Sequence, residues 1–278
     1  LVVLYKGVKG YHRPKSVEEA IELLQKLENA RVIGGNTRLP LTPEKGKVEH
    51  LVDLQDVGLS GVRREGDVLL IGATTQIGDL MEEELPPLLA RALSYTPEGW
   101  KWPATVGGVL ASGLPYETLP IALMAMGAKV EVAGPEGSRE VSIEDLYTGK
   151  GVMKLGSREI ITWIKVPTEE RPWAFEAVAV VARLFPQVSI ALTADLDGGR
   201  ISNARVGLAG VAKTPIRCET LEKALEGLDP ASEVPDGVLA FAESLEPPYD
   251  PVASSEYRKY AIKVLARRAI MSLRRWLK

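Results

Sequence analysis

Two stretches decide the reading of this chain: Val32-Ile33-Gly34-Gly35-Asn36-Thr37-Arg38-Leu39 and Ala104-Thr105-Val106-Gly107-Gly108-Val109. Each runs from apolar residues into two adjacent glycines flanked by a small hydroxyl residue. Adjacent glycines allow positive φ angles and remove the Cβ atoms that would hold a ligand off the backbone. Successive N–H groups can then converge on an anion such as a pyrophosphate. The pair therefore predicts two loops around one extended, phosphate-bearing ligand. Either turn alone is more often an ordinary tight turn; their order and context give the pair its weight. The first closes a short βαβ-like opening, and the second precedes the apolar run Leu119–Val130.

Working outward, Ser16-Val17-Glu18-Glu19 is a capping box. Val17, Ala20, Ile21, Leu24 and Leu27 then fall on one helical face. Short strands over Arg31–Ile33 and Leu51–Leu54 complete a βαβ-type unit over roughly the first 55 residues. Val68–Ala73 reads as a buried strand, Thr74–Leu80 as a helix start and Pro86–Leu93 as a helix. Tyr95–Pro103 carries three breakers, Pro97, Gly99 and Pro103, and reads as irregular. A helix over Leu119–Met126 leads into a strand over Ala128–Ala133, a hairpin turn at Pro135-Glu136-Gly137 and a strand over Glu159–Val166. The polar stretch Thr168–Pro172 marks a domain boundary. Beyond it Phe175–Arg183, Val188–Leu196 and Ser202–Leu208 read as an antiparallel meander, followed by helices over Thr220–Glu226 and Ser255–Leu277.

Composition narrows the chemistry. Of 278 residues 45% are apolar and 26% charged, with a formal net charge of −3. Two or three ordinary domains fit that length, and nothing points to nucleic acid. No signal peptide or membrane span is legible. One cysteine, Cys218, excludes an internal disulfide framework and a four-cysteine iron–sulfur or zinc site. The cytoplasm is the expected compartment. Redox work would need an organic cofactor held mainly by backbone groups.

Individual side chains offer little catalysis. His12 and His50 read as surface or packing residues, which leaves acyl transfer by a Ser/His/Asp set without support. Cys218, beside Arg217 at a helix start, reads as inert packing. The last helix carries Arg258, Lys259, Lys263, Arg267, Arg268, Arg274, Arg275 and Lys278 along an apolar stripe. The near-neutral whole favours a domain-packing helix facing an acidic partner over a membrane or nucleic-acid contact. Trp100 and Trp102, next to the second turn, read as loop anchors or as a stacking surface for a flat ring.

In this order the motifs resemble the flavin-binding medium subunits of the molybdenum hydroxylases, the family of the carbon monoxide dehydrogenase medium subunit and the xanthine dehydrogenase flavin domain. The resemblance spans nearly the whole chain. It rests on Tyr11-His12-Arg13-Pro14 with Ser16–Ala20, on Gly35-Asn36-Thr37 and Ala104–Gly108, on Met126–Val130 and Ile160–Pro167, on Asn203–Arg217, and on Tyr257-Arg258 with Arg267-Arg268-Ala269. It implies an α+β chain. Residues 1–170 would form a two-lobed FAD-binding fold of the vanillyl-alcohol-oxidase (PCMH) type, with lobes over about 1–56 and 57–170. Residues 171–278 would form a C-terminal α+β domain of the carbon monoxide dehydrogenase flavoprotein type. FAD contacts would come from Val32, Ile33, Gly34, Gly35, Asn36, Thr37, Arg38, Leu39, Thr105, Val106, Gly107, Gly108, Thr118 and Ile161.

By the same resemblance, electrons would reach FAD from an iron–sulfur small subunit fed by a molybdopterin large subunit, in a hetero-oligomer. The clusters and the molybdopterin would sit on those partners, in keeping with the missing cysteines. The chain departs from the family pattern at four places. Val109 stands for an Asn, Thr118 for an Asp and Glu176 for a Lys, while Lys101-Trp102-Pro103 replaces an Arg-Asn lead. These substitutions carry the rival reading, a cofactor-free interaction subunit on the same scaffold. A stand-alone flavin oxidase or reductase is a third reading, weakened by the lack of a catalytic base. Gly35→Val or Gly107→Val is expected to abolish flavin retention while leaving the fold.

Overall fold

A computed structural model describes residues 7–39, 47–149, 153–179 and 185–277. The expected strand residues Val180–Arg183, and Lys278 of the basic helix, lie outside these.

Three sheets organise the chain. The first is parallel: β1 (Gly10–His12), β2 (Ala30–Ile33) and β3 (His50–Asp53), in the order β1-β3-β2. The opening is thus a crossover with β3 inserted between the two strands that α1 (Val17–Lys26) connects. Ser16 Oγ caps α1 by accepting from the Glu19 N–H at 3.1 Å. The Glu19 carboxylate reaches back one residue further than a capping box requires, to the Lys15 N–H at 2.6 Å. Ala20 and Leu24 bury the inner face of α1 against Ala30, Val52 and Leu54.

The second sheet is antiparallel, in the order β4-β5-β8-β6-β7, with β4 (Val62–Glu65), β5 (Val68–Gly72), β6 (Lys129–Gly134), β7 (Gly137–Ser142) and β8 (Ile160–Pro167). Between β5 and β6 lie α2 (Ile77–Met81), α3 (Pro87–Leu93), α4 (Glu98–Lys101), α5 (Val106–Ser112) and α6 (Thr118–Ala125). The stretch expected to be irregular holds α4, a single turn that opens immediately after Pro97, where a fixed φ favours a helix start.

The third sheet is also antiparallel, ordered β12-β11-β10-β9, with β9 (Trp173–Val178), β10 (Val188–Asp197), β11 (Arg200–Ala209) and β12 (Ile216–Arg217). Its chain ends in α7 (Glu219–Leu225) and α8 (Ser255–Ser272). Residues 188–194 are buried without interruption. One face of β10 packs Val188, Ile190 and Leu192 beneath α8, and the other packs Ala191 on α6.

All eight residues of α6 are buried. Leu119, Leu123 and Met124 join the core under the second sheet, while Ile121, Ala122 and Ala125 join the face of the third. Its last carbonyls are satisfied from that sheet: Thr193 Oγ1 donates to Ala125 O at 2.6 Å and Arg205 Nε to Met124 O at 3.0 Å. The backbones meet so closely that a Cβ on Gly207 would lie 2.3 Å from Ile121 O.

Arg258, Lys259, Lys263 and Arg267 of α8, and Arg275 just beyond it, bind within the chain. Arg258 is fully buried, Lys263 pairs with Glu243, and Arg267 binds Asp236 and Val234 O. Arg275 lies over Trp173 and donates to its carbonyl. The domain-packing reading therefore describes this helix.

Candidate functional site

The two glycine turns pack against each other. The first leaves β2 directly, and the second opens α5. A Cβ on Gly35 would fall 1.4 Å from Pro103 O, and one on Gly34 would fall 2.8 Å from Thr105 Oγ1. A Cβ on Gly107 would come within 2.9 Å of Ala73 O. These glycines are needed because protein atoms occupy the space a side chain would take. Neither pair uses positive φ, contrary to expectation; the left-handed residue is Asn36, at φ 51°.

The turns differ in what they offer a ligand. In the second, the N–H groups are consumed internally: Val106 to Thr75 O, Gly107 to Ala73 O, Gly108 to Thr105 Oγ1 and Val109 to Thr105 O. The expected anion cradle is absent there, because the same donors anchor the turn to residues 73–75. In the first turn the N–H groups of Gly34, Gly35 and Thr37 have no acceptor among the described residues. Thr105 adds a hydroxyl whose own proton has no acceptor among the described residues.

The remaining expected residues divide. Val32, Ile33 and Leu39 anchor the first loop in apolar clusters. Thr118 is buried at the start of α6, and its hydroxyl is committed to Ala92 O at 2.8 Å. Ile161 lies in the core of β8 opposite Val132. The Ala73 N–H binds the carbonyl of its neighbour Thr162, so β8 passes beneath the second turn. Val109 is buried in α5. Glu176 is half-buried on β9 opposite Ile190.

Arg38 gathers residues that sequence reasoning did not connect. Its guanidinium pairs with Glu117, lies 3.9 Å from the centre of the Trp100 ring and 5.2 Å from that of Phe185. Its Nε is buried without a partner. Burial raises the Glu117 carboxyl from 4.5 to about 7, with the Arg38 charge pulling the other way. Trp102 instead lays its ring over Gly78 and remains 53% exposed. Glu117 had one visible signal, as the only acid in the apolar run Leu114–Ala125. Phe185 had none.

Elsewhere, burial pushes the Cys218 thiol up to about 11, so it is an inert packing group rather than an activated nucleophile. An open groove of about 540 Å³ runs between Pro86, Pro167, Arg171, Trp173, Asn203 and Arg205, and no residue of either glycine turn lines it. Among the described residues no helix is long and apolar enough to cross a membrane.

Residues 6–169 match the family described as the FAD binding domain in molybdopterin dehydrogenase, and residues 173–273 match the CO dehydrogenase flavoprotein C-terminal domain. The chain belongs to the FAD-binding medium-subunit family of the molybdenum hydroxylases. It is 35% identical to the carbon monoxide dehydrogenase medium chain of Afipia carboxidovorans, over 95% of this chain and 96% of the relative. It is 28% identical to the nicotine 6-hydroxylase medium subunit of Paenarthrobacter nicotinovorans, over 94% and 95%. Among solved structures, the reconstituted CO dehydrogenase from Oligotropha carboxidovorans superposes with a TM-score of 0.86 at 32% identity, covering 94% of this chain and 96% of that one.

As a family member the chain is an oxidoreductase subunit with an FAD-binding domain on a two-part α+β fold. The residues present fit the diphosphate end of that cofactor at the first turn. Three N–H donors and a Thr105 proton without acceptors among the described residues, together with the left-handed Asn36, suit an anion. The second turn would add shape and one hydroxyl.

Proposed function

We propose that this chain is the electron-relay subunit of a molybdenum hydroxylase complex, carrying electrons from an iron–sulfur small subunit to an external acceptor. The large subunit of the assembly would hold molybdopterin and choose the substrate. The observation that carries the reading is the set of N–H groups at Gly34, Gly35 and Thr37 that have no acceptor among the described residues, in a turn packed against the Thr105 turn. FAD, when bound, supplies carriage of one or two electrons. The chain's own work is to hold the diphosphate by those donors and Thr105, and to keep the two turns in register through Gly35 and Pro103. Arg38 and Glu117 keep Trp100 and Phe185 together beside the loop. A cytoplasmic setting is part of the proposal, in keeping with the use of a single, buried cysteine. The division into residues 1–170 and 171–278 is part of the proposal, and the loop from Pro167 to Trp173 between β8 and β9 supports it.

The test is a visible spectrum of the purified chain after addition of FAD and desalting. Retained absorbance near ~450 nm, characteristic of an oxidised flavin cofactor, is expected, together with loss of retention in Thr105→Val. A colourless wild-type protein, also when assembled with its partners, would overturn the relay in favour of a cofactor-free scaffold.

A further inference from the structure

The chain has two histidines, 38 positions apart, and the fold brings them side by side. His12 Nε2 lies 3.1 Å from His50 Nδ1, with ring centres 5.3 Å apart and planes tilted by 46°. The rings stand on neighbouring parallel strands, β1 and β3, where Gly10 pairs with His50 and His12 with Val52. Side chains alternate along a strand, so Gly10 and His12 share a face and the intervening Tyr11 turns to the other, where it bonds Asp53. The missing side chain of Gly10 is what lets the rings meet. A Cβ there would lie 2.7 Å from both nitrogens.

We propose that His12 and His50 form a two-imidazole site for a divalent transition-metal ion of the Zn²⁺, Cu²⁺ or Ni²⁺ class. Imidazole nitrogens bind such ions at about 2.0–2.1 Å, which separates two ligands by about 2.9 Å at a right angle and about 3.3 Å at the tetrahedral angle. The observed 3.1 Å lies between these limits. The same spacing accommodates a ring-to-ring hydrogen bond when no ion is bound. Both rings are half-buried, which leaves a side open for water ligands. Among the described residues no group of three or more His, Cys, Asp or Glu could hold a metal. The protein therefore supplies two ligands and water the rest, giving an exchangeable ion that ties β1 to β3. The site is separate from the flavin loops, since His50 pairs with Ala30 at the far end of the β2–β3 ladder from Gly34.

The experiment is a titration of the full chain with Cu²⁺, followed by electron paramagnetic resonance and by thermal melting, with removal by chelator. One Cu²⁺ per chain with nitrogen hyperfine structure is expected, with a raised melting temperature because the ion binds the folded state. His12→Ala and His50→Ala should each lose both signals, and Gly10→Ala should weaken binding at least tenfold by filling the space beside the nitrogens. His50→Gln replaces His50→Ala if the latter does not fold. Wild-type affinity in either histidine variant, or no bound Cu²⁺ in the wild type at tenfold excess, would overturn the site.

Discussion

Among single residues, Gly35 and Gly99 make a matched pair of predictions. A methyl group at Gly35 would sit 1.4 Å from the Pro103 carbonyl, so the turns must part, whereas nothing lies within 4 Å of one at Gly99. Gly35→Ala should cost about 1–3 kcal/mol or more by overpacking and release flavin. Gly99→Ala, in a helical turn, should be neutral or stabilise by up to about 1 kcal/mol. Melting temperature and absorbance retained after desalting read both. The sequence-based expectation that Gly35→Val would spare the fold is revised for the same reason. Glu117 yields a pH dependence. Between pH 4.5 and about 7 the folded chain keeps a proton that the unfolded chain has lost. Stability from this group therefore falls as pH rises through that window and is level above it. Urea midpoints at pH 5 and pH 8 should show this part of the slope vanish in Glu117→Gln. The glycine turns were legible because adjacent glycines are rare punctuation in an apolar run. What the glycines touch was not, since Pro103 and Ala73 are distant in sequence. The ring around Arg38 was hidden for the same reason, as its members come from four separate segments.

For the elements, local chemistry explains which were readable. Ser16 announces α1, and unbroken apolar character announces α6 and β10. The insertion of β3 between β1 and β2 left no local mark, because strand order depends on long-range pairing. The two-residue β12 is too short to carry a pattern. Helix α8 shows how a motif can be visible and its role not. Arg258 is completely buried, donating to Gln187 O, to Gly210 O at 3.3 Å and to Asp250 Oδ2 at 2.6 Å, under the Tyr116 ring. It binds α8 to the third sheet and to the segment that precedes α6. Arg258→Ala removes a fully buried side chain and leaves two carbonyls and the partly exposed Asp250 without their donor; it should cost about 2–5 kcal/mol, measured by urea unfolding. Arg258→Lys should rescue only part, because one ammonium cannot reach three acceptors in a planar fork.

The whole molecule is joined by α6, which belongs to two cores at once. A chain of 278 residues would ordinarily be expected to unfold in stages. Here the second and third sheets lose a shared wall when either opens, so a single transition is expected. Far-UV circular dichroism should coincide with tryptophan fluorescence, which samples both sheets through Trp163 and Trp173. Separate midpoints would show that α6 parts from one sheet before the other. The same burial has a consequence for biosynthesis. Residues 118–125 leave the ribosome well before residues 188–209, which supply the surface that covers Ile121, Ala122 and Ala125. At about 5–20 residues per second, this helix waits several seconds with an apolar flank facing solvent. During that interval the nascent chain presents a ready target for chaperones, and any ribosome stall ahead of β10 lengthens it.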